Sequence, residues 1–206
     1  MSDVTRSTRA ESAPAAARVA RARRGQPNGW WGAALLVATD TALFGSIIAS
    51  YFYLRFQAVE WPPPGIEAPS VALPLALTGA LVATSVPMFL AVRFARAGRP
   101  RGAWTAILAA ATVQAGYLAW QIVLFTDDFA KFRPTGTAYG SIYYTLLATH
   151  HAHVLVGLLI DCWLLARLAS GLTNYRVIAV RVGALYWYFV NAIAIAVVLT
   201  QLSPSL

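Results

Sequence analysis

The stretch YGSIYYTLLATHHAHVLVGLLIDCWLL, residues 139–165, decides the fold. A hydrocarbon core about 30 Å thick is crossed by roughly 20 helical residues, and this run is long enough to do so. Its ionisable side chains are His150, His151, His153 and Asp161, with one thiol, Cys162. Nothing satisfies a lone strand's backbone N–H and C=O groups in lipid, so a single apolar run of this length reads as a transmembrane helix.

Working outward, four more runs share this character, which gives spans at Trp30–Leu54, Val71–Phe94, Ala103–Phe125, Tyr139–Leu165 and Ala179–Leu202. The composition agrees: of 206 residues 58% are hydrophobic and 12% charged, too few charges to coat a water-soluble surface. The expected fold is all-α, a polytopic bundle of five transmembrane helices over residues 30–206. Residues 1–29 are Ala- and Arg-rich and read as a disordered cytoplasmic tail, with an organellar transit peptide as the alternative. They contain no apolar stretch of the sort a secretory signal requires. Pro87, inside the second span, is expected to bend it. There is no internal repeat.

Loop charge sets an expected orientation, because Lys and Arg are retained on the cytoplasmic side. The N-terminal segment carries Arg6, Arg9, Arg18, Arg21, Arg23 and Arg24; the second loop carries Arg93, Arg96, Arg99 and Arg101; the fourth carries Arg167, Arg176 and Arg181. The first loop has Arg55 against Glu60 and Glu67, and the third has Lys131 and Arg133 against Asp127 and Asp128. The N-terminus is therefore expected in the cytoplasm and the C-terminus outside. Trp30, Trp31 and Trp104 near one boundary, with Trp61 and Tyr139 near the other, suit interfacial aromatic belts. The net charge of +8 thus belongs to loops. No basic face interleaved with aromatics exists, and nucleic-acid binding is excluded.

The polar residues left inside the spans carry the functional information, since a charge at mid-bilayer costs about 2.5–3.5 kcal/mol on insertion scales and normally faces protein or water. Asp40, His150, Gln114 and Asn191 each lie about 15 Å from a span end, which puts a polar group at one level on four helices. His150 and His153 are three apart and are expected to share a face, with His151 turned away by about 100°. Asp40 is expected to pair with one of these histidines, either as glue between helices or as a proton-accessible site. Asp161, six residues before Arg167, reads as a snorkelling or subunit-contact residue. All three histidines sit on one helix, with one Cys and no second His cluster, so this chain is expected to bind no redox metal of its own; a haem shared between two copies stays open. No disulfide within the chain is available to one cysteine. Phosphate loops, a nucleophile elbow and HExxH are all missing, and no catalytic residue is assigned.

Several of these stretches together resemble subunit III of the haem-copper (cytochrome c type) oxidases, from Trp30 to the end, in the five-helix form that lacks the first two helices. Thr39-Asp40-Thr41-Ala42-Leu43-Phe44 is similar to the family's Ser-Glu followed by aromatics, with Asp40 at the buried glutamate. Trp61-Pro62-Pro63-Pro64-Gly65-Ile66 and Leu73-Pro74-Leu75 resemble Trp-Pro-Pro-x-Gly-Ile and Leu-Pro. Tyr139-Gly140-Ser141 and His150-His151-Ala152-His153-Val154-Leu155-Val156-Gly157 resemble Tyr-Gly-Ser and His-Gly-Leu-His-Val-x-x-Gly. Tyr186-Trp187-Tyr188-Phe189-Val190-Asn191 is similar to Tyr-Trp-His-Phe-Val-Asp. Departures are His151 for Gly, Tyr188 for His, Asn191 for Asp, and Leu124 and Phe125 where an acid follows Gln121.

The resemblance implies a non-catalytic core subunit of a proton-pumping terminal oxidase of aerobic respiration, in a bacterial plasma membrane. It implies partners in the catalytic haem-copper subunit I and in subunit II, with haem and copper held there, and contact with membrane lipid, including a bound phospholipid. This chain would stabilise the catalytic subunit, support proton uptake and help oxygen enter. The roles carry over to Asp40, His150 and His153, with Gln114, Tyr188 and Asn191 in support. The other readings are a divergent homologue serving a nitric oxide reductase, and an independent transporter or haem-binding anchor.

Overall fold

A computed structural model describes residues 27–205. The expected tail at 1–29 lies mostly outside the described residues, and its last two positions, Asn28 and Gly29, already belong to a helix. The helices are α1 Asn28–Gln57, α2 Ala72–Ala83, α3 Ser85–Arg96, α4 Pro100–Lys131, α5 Ala138–Ala169 and α6 Asn174–Leu202. With α2 and α3 counted as one span, five segments are long and apolar enough to cross a membrane, and the described residues are all-helical with no strand.

The bend expected at Pro87 takes the form of a break at Thr84, between α2 and α3. Proline has no N–H to donate, and its ring collides with the carbonyl four residues back, here that of Ala83. Thr84 closes the end of α2 instead, its N–H reaching Leu81 O at 3.0 Å and its Oγ1 donating to the same oxygen at 2.6 Å.

The stops and starts between helices follow from single residues. After α3, Gly98 takes φ +70°, Arg99 N–H returns to Phe94 O at 2.9 Å and Gly98 N–H to Ala95 O at 3.2 Å, the Schellman closure that needs a left-handed residue. Pro100 then opens α4 at its first position, where no N–H is wanted. Thr137 and Thr173 cap α5 and α6, accepting from Gly140 N–H at 3.0 Å and Arg176 N–H at 3.3 Å. Arg176 also donates to the carbonyls of Ser170 and Gly171 at the end of α5. Such short turns force α3 against α4 and α5 against α6.

Helices α4, α5 and α6 run past the spans expected from charge. Helix α4 continues from Phe125 to Lys131 through Asp127 and Asp128, because a charge ends the hydrocarbon-compatible stretch without ending the helix. Within the bundle α6 is central: it packs on α1, α2, α3 and α5, whereas α1 touches α5 and α6 alone among the described elements and fully buries only Phe44 and Tyr51. Trp187 is fully buried at the centre of the core, directly across from Gly157. A second cluster, Tyr139, Tyr143, Tyr144 and Leu147, closes one end of the bundle, and Trp61 and Ile66 of the first loop pack onto it. Trp61 donates to Tyr51 OH at 3.0 Å. Arg55 reaches Ser203 O at 3.1 Å and Ser205 reaches Pro69 O at 2.8 Å, so the first loop and the C-terminal end lie on the same side of the bundle.

Candidate functional site

The polar residues of the spans gather in three places. The first joins α1 to α5. His153 Nδ1 lies 2.7 Å from Thr149 O, one turn back on the same helix. A carbonyl oxygen only accepts, so Nδ1 carries the proton and Nε2 faces outward from α5. There it meets Asp40 Oδ2 at 3.6 Å, with both side chains less than one-fifth exposed. An unprotonated Nε2 and a carboxylate repel each other; one further proton, on either partner, makes the contact attractive. The pair thus joins α1 to α5. Phe44 packs against the imidazole with ring centroids 5.0 Å apart, and Tyr186 OH donates to His153 O at 2.9 Å, which fixes the backbone beneath it from α6.

The second place joins α5 to α4. His150 is 1% exposed; its Nε2 lies 3.4 Å from Tyr117 OH, and its Nδ1 has no protein partner. His151 packs beside Tyr117 and Phe125, with ring centroids 6.3 and 6.4 Å away. Of the histidines, then, His153 reaches Asp40 and His150 does not. The shared face expected from the three-residue spacing divides, because that spacing leaves an angle of about 60° around the helix. On a helix flanked by α1 and α4, this angle sends one ring to each neighbour. His150 and His151 stay together against Tyr117, their ring centroids 5.8 Å apart, while His153 turns to α1, and among the described residues no three His, Cys, Asp or Glu side chains are grouped to hold a metal ion.

The third place lies at the break between α2 and α3. Asn191 Nδ2 of α6 donates to Ser85 Oγ at 2.8 Å and approaches Thr84 Oγ1 at 3.5 Å. Gln114 of α4 is fully buried. With its amide oriented so that both ends have partners, it donates to Asp161 Oδ2 at 2.9 Å and sets its oxygen 3.2 Å from Thr84 Oγ1, whose single proton is shared between that oxygen and Leu81 O. Asp161 is 0% exposed, which corrects the snorkelling assignment: this carboxyl lies inside the bundle. Trp187 presents its indole to the same carboxyl, although neither Nε1 nor Asp161 Oδ1 attains hydrogen-bond geometry.

The signal for Asp161 was in the sequence. His150, Val154, Gly157, Asp161, Leu164 and Leu168 are all buried on α5, at spacings of three and four that define one helical stripe. Nearness to Arg167 says nothing about rotation. Gln114 and Asn191, both expected in a supporting role, come together here through Thr84. Tyr188 does not join them; it is 37% exposed on the bundle surface.

These features define a polytopic helical membrane protein whose intramembrane polar groups pair across helices. The family model for cytochrome c oxidase subunit III matches residues 17–201. Similar proteins include the cytochrome c oxidase subunit 3 of Bacillus subtilis (strain 168), 32% identical over 173 residues that cover 80% of this chain and 79% of the relative. The probable cytochrome c oxidase subunit 3 of Nocardia farcinica is 29% identical over 82% of this chain and 84% of its own. The quinol oxidase subunit 3 of Bacillus spizizenii is 27% identical over 80% of both chains. The chain belongs to the cytochrome c oxidase subunit III family and is a multi-pass integral membrane subunit of a haem-copper oxidase. Neither the nitric oxide reductase reading nor the independent transporter or anchor is favoured by these matches.

Proposed function

We propose that this chain is a non-catalytic core subunit of a proton-pumping terminal oxidase in a bacterial plasma membrane, packed against a catalytic haem-copper subunit I and accompanied by subunit II. Haem and copper belong to those partners in this reading, and electrons pass through them. The chain's own contribution is to stabilise the catalytic subunit through turnover and to support proton uptake. Residues 1–29 are assigned to the cytoplasmic side, with the C-terminus outside, on the loop charges. The apolar outer faces meet the partner subunit and membrane lipid, including a bound phospholipid.

The single observation that carries the proton-linked role is the Asp40–His153 pair, 3.6 Å apart between α1 and α5. A carboxyl and an imidazole that meet between two helices within the membrane suit a group that takes up and returns protons near the catalytic subunit. Asp40→Asn in the purified complex keeps the shape and removes the charge. The expected outcome is an assembled oxidase that is destabilised by about 1 kcal/mol and loses proton uptake and activity progressively during sustained turnover. Unchanged pumping and unchanged endurance in that variant would remove the proton-linked role and leave the pair as glue.

A further inference from the structure

A cavity of about 570 Å³ lies between α2, α4, α5 and α6, beneath the first loop. Glu67, Asp128 and Lys131 stand at one end of it and Tyr117 and His150 at the other. The Lys131 side chain is 71% exposed and paired with Asp128 at 3.4 Å, so that end is in solvent. His150, at 1% exposure, is deep in the bundle. Tyr139 and His150 both line the cavity, and eleven residues of α5 between them span about 16 Å. The cavity thus extends from the bundle surface down to the level of His150.

The lining decides what fills it. His150 on α5 and Gln201 on α6 stand on its wall. Tyr117, Gln121, Tyr143 and Thr78 add further polar groups on α4, α5 and α2. Buried polar atoms are satisfied almost without exception, and an acyl chain entering from lipid offers them nothing. A polar cavity of this size takes up water, where an apolar one stays dry. Ionisable residues within membrane spans face either protein or such water; Tyr117 and His150, 3.4 Å apart, stand together at the inner end of the cavity.

We propose that this cavity is a water-binding shaft that opens on the outer face of the membrane and reaches inward to the level of Tyr117 and His150. Its outward direction rests on the orientation proposed above; the shaft itself does not. It takes water from the side opposite the N-terminal segment, and it approaches His150 from α4 while the Asp40–His153 pair sits on the α1 side of the same helix.

The test is cysteine reactivity in membranes containing the assembled oxidase, with the native thiol removed by Cys162→Ala. Leu147→Cys and Thr78→Cys line the shaft on two different helices, so failure of one to assemble leaves the other. Val123→Cys, on the exposed lipid face of α4, and Thr135→Cys, exposed in the α4–α5 turn, are the references. The probe is a small, charged, membrane-impermeant methanethiosulfonate, which is attacked by the cysteine thiolate with loss of methanesulfinate and hence reports water at the sulfur. The shaft cysteines should react from the same side as Thr135→Cys, at least about tenfold faster than Val123→Cys. If that common side proves cytoplasmic, the orientation is reversed and the shaft stands. If Thr135→Cys reacts while both shaft cysteines are as slow as Val123→Cys, or react only from the opposite face, the shaft is refuted.

Discussion

Gly157→Ala is the sharpest perturbation of the core. A Cβ at this position would stand 2.6 Å from Trp187 Cζ2, 2.9 Å from Cε2 and 3.0 Å from Cη2. Carbon atoms rest at about 3.5–4.0 Å, so either the indole or the helix must retreat by about 1 Å. The indole has no room to do so, being fully buried where α5 and α6 pack together. Over-filling a close-packed interior costs about 1–3 kcal/mol, and in a membrane, where helix association depends on close contact at small residues, the whole of that penalty falls on the α5–α6 interface. The assay is reversible unfolding of the detergent-solubilised chain in mixed micelles, run on wild type, Gly157→Ala, Trp187→Phe and the double variant. Trp187→Phe removes the clashing edge of the indole, so the two substitutions should be strongly non-additive, with Gly157→Ala costing much less in the Phe background than in the Trp background. A neutral Gly157→Ala, or costs that simply add, would refute the claim that this glycine exists to admit the indole.

The polar junction makes a second prediction: Asp161→Ala takes from the fully buried Gln114 the nearer of its two acceptors, leaving Ala110 O at 3.3 Å, and should destabilise the bundle by about 1–3 kcal/mol, read in the same unfolding assay; a surface-like effect would mean that Asp161 is not engaged. Thr84→Val removes the hydroxyl that serves Leu81 O, Gln114 and Asn191 and should cost a comparable amount, with sub-additive loss when combined with Asp161→Ala. By contrast Tyr188→Phe, at an exposed position, should change the stability of the isolated chain by no more than about 0.5 kcal/mol. A larger loss there would show that the side chain is held by the bundle after all.

Which histidine meets Asp40 illustrates where sequence reasoning ends. That an aspartate on the first span should find an imidazole on the fourth follows from cost alone, because few other ionisable groups lie at that depth. Choosing His153 over His150 requires knowing that α1 and α4 flank α5 on different sides, and no local pattern contains that fact. Asp161 is a different case. Its stripe with His150, Val154 and Gly157 is legible in the sequence at spacings of three and four, whereas nearness to Arg167 carries no information about rotation.

The number and approximate place of the spans were determined by sequence alone, because hydropathy sums along the chain and the bilayer fixes how many apolar residues a crossing needs. The scarcity of charge inside those spans likewise singled out Asp40 and the histidines before any geometry was known. The tertiary structure decided everything that depends on the rotation and lateral placement of one helix against another: the division of His150 from His153, the burial of Asp161 beside Gln114, the junction at Thr84, and the cavity above His150. Those are pairwise distances between residues tens to more than a hundred positions apart, set by side-chain packing across the bundle, and periodicity within one helix carries no term for them.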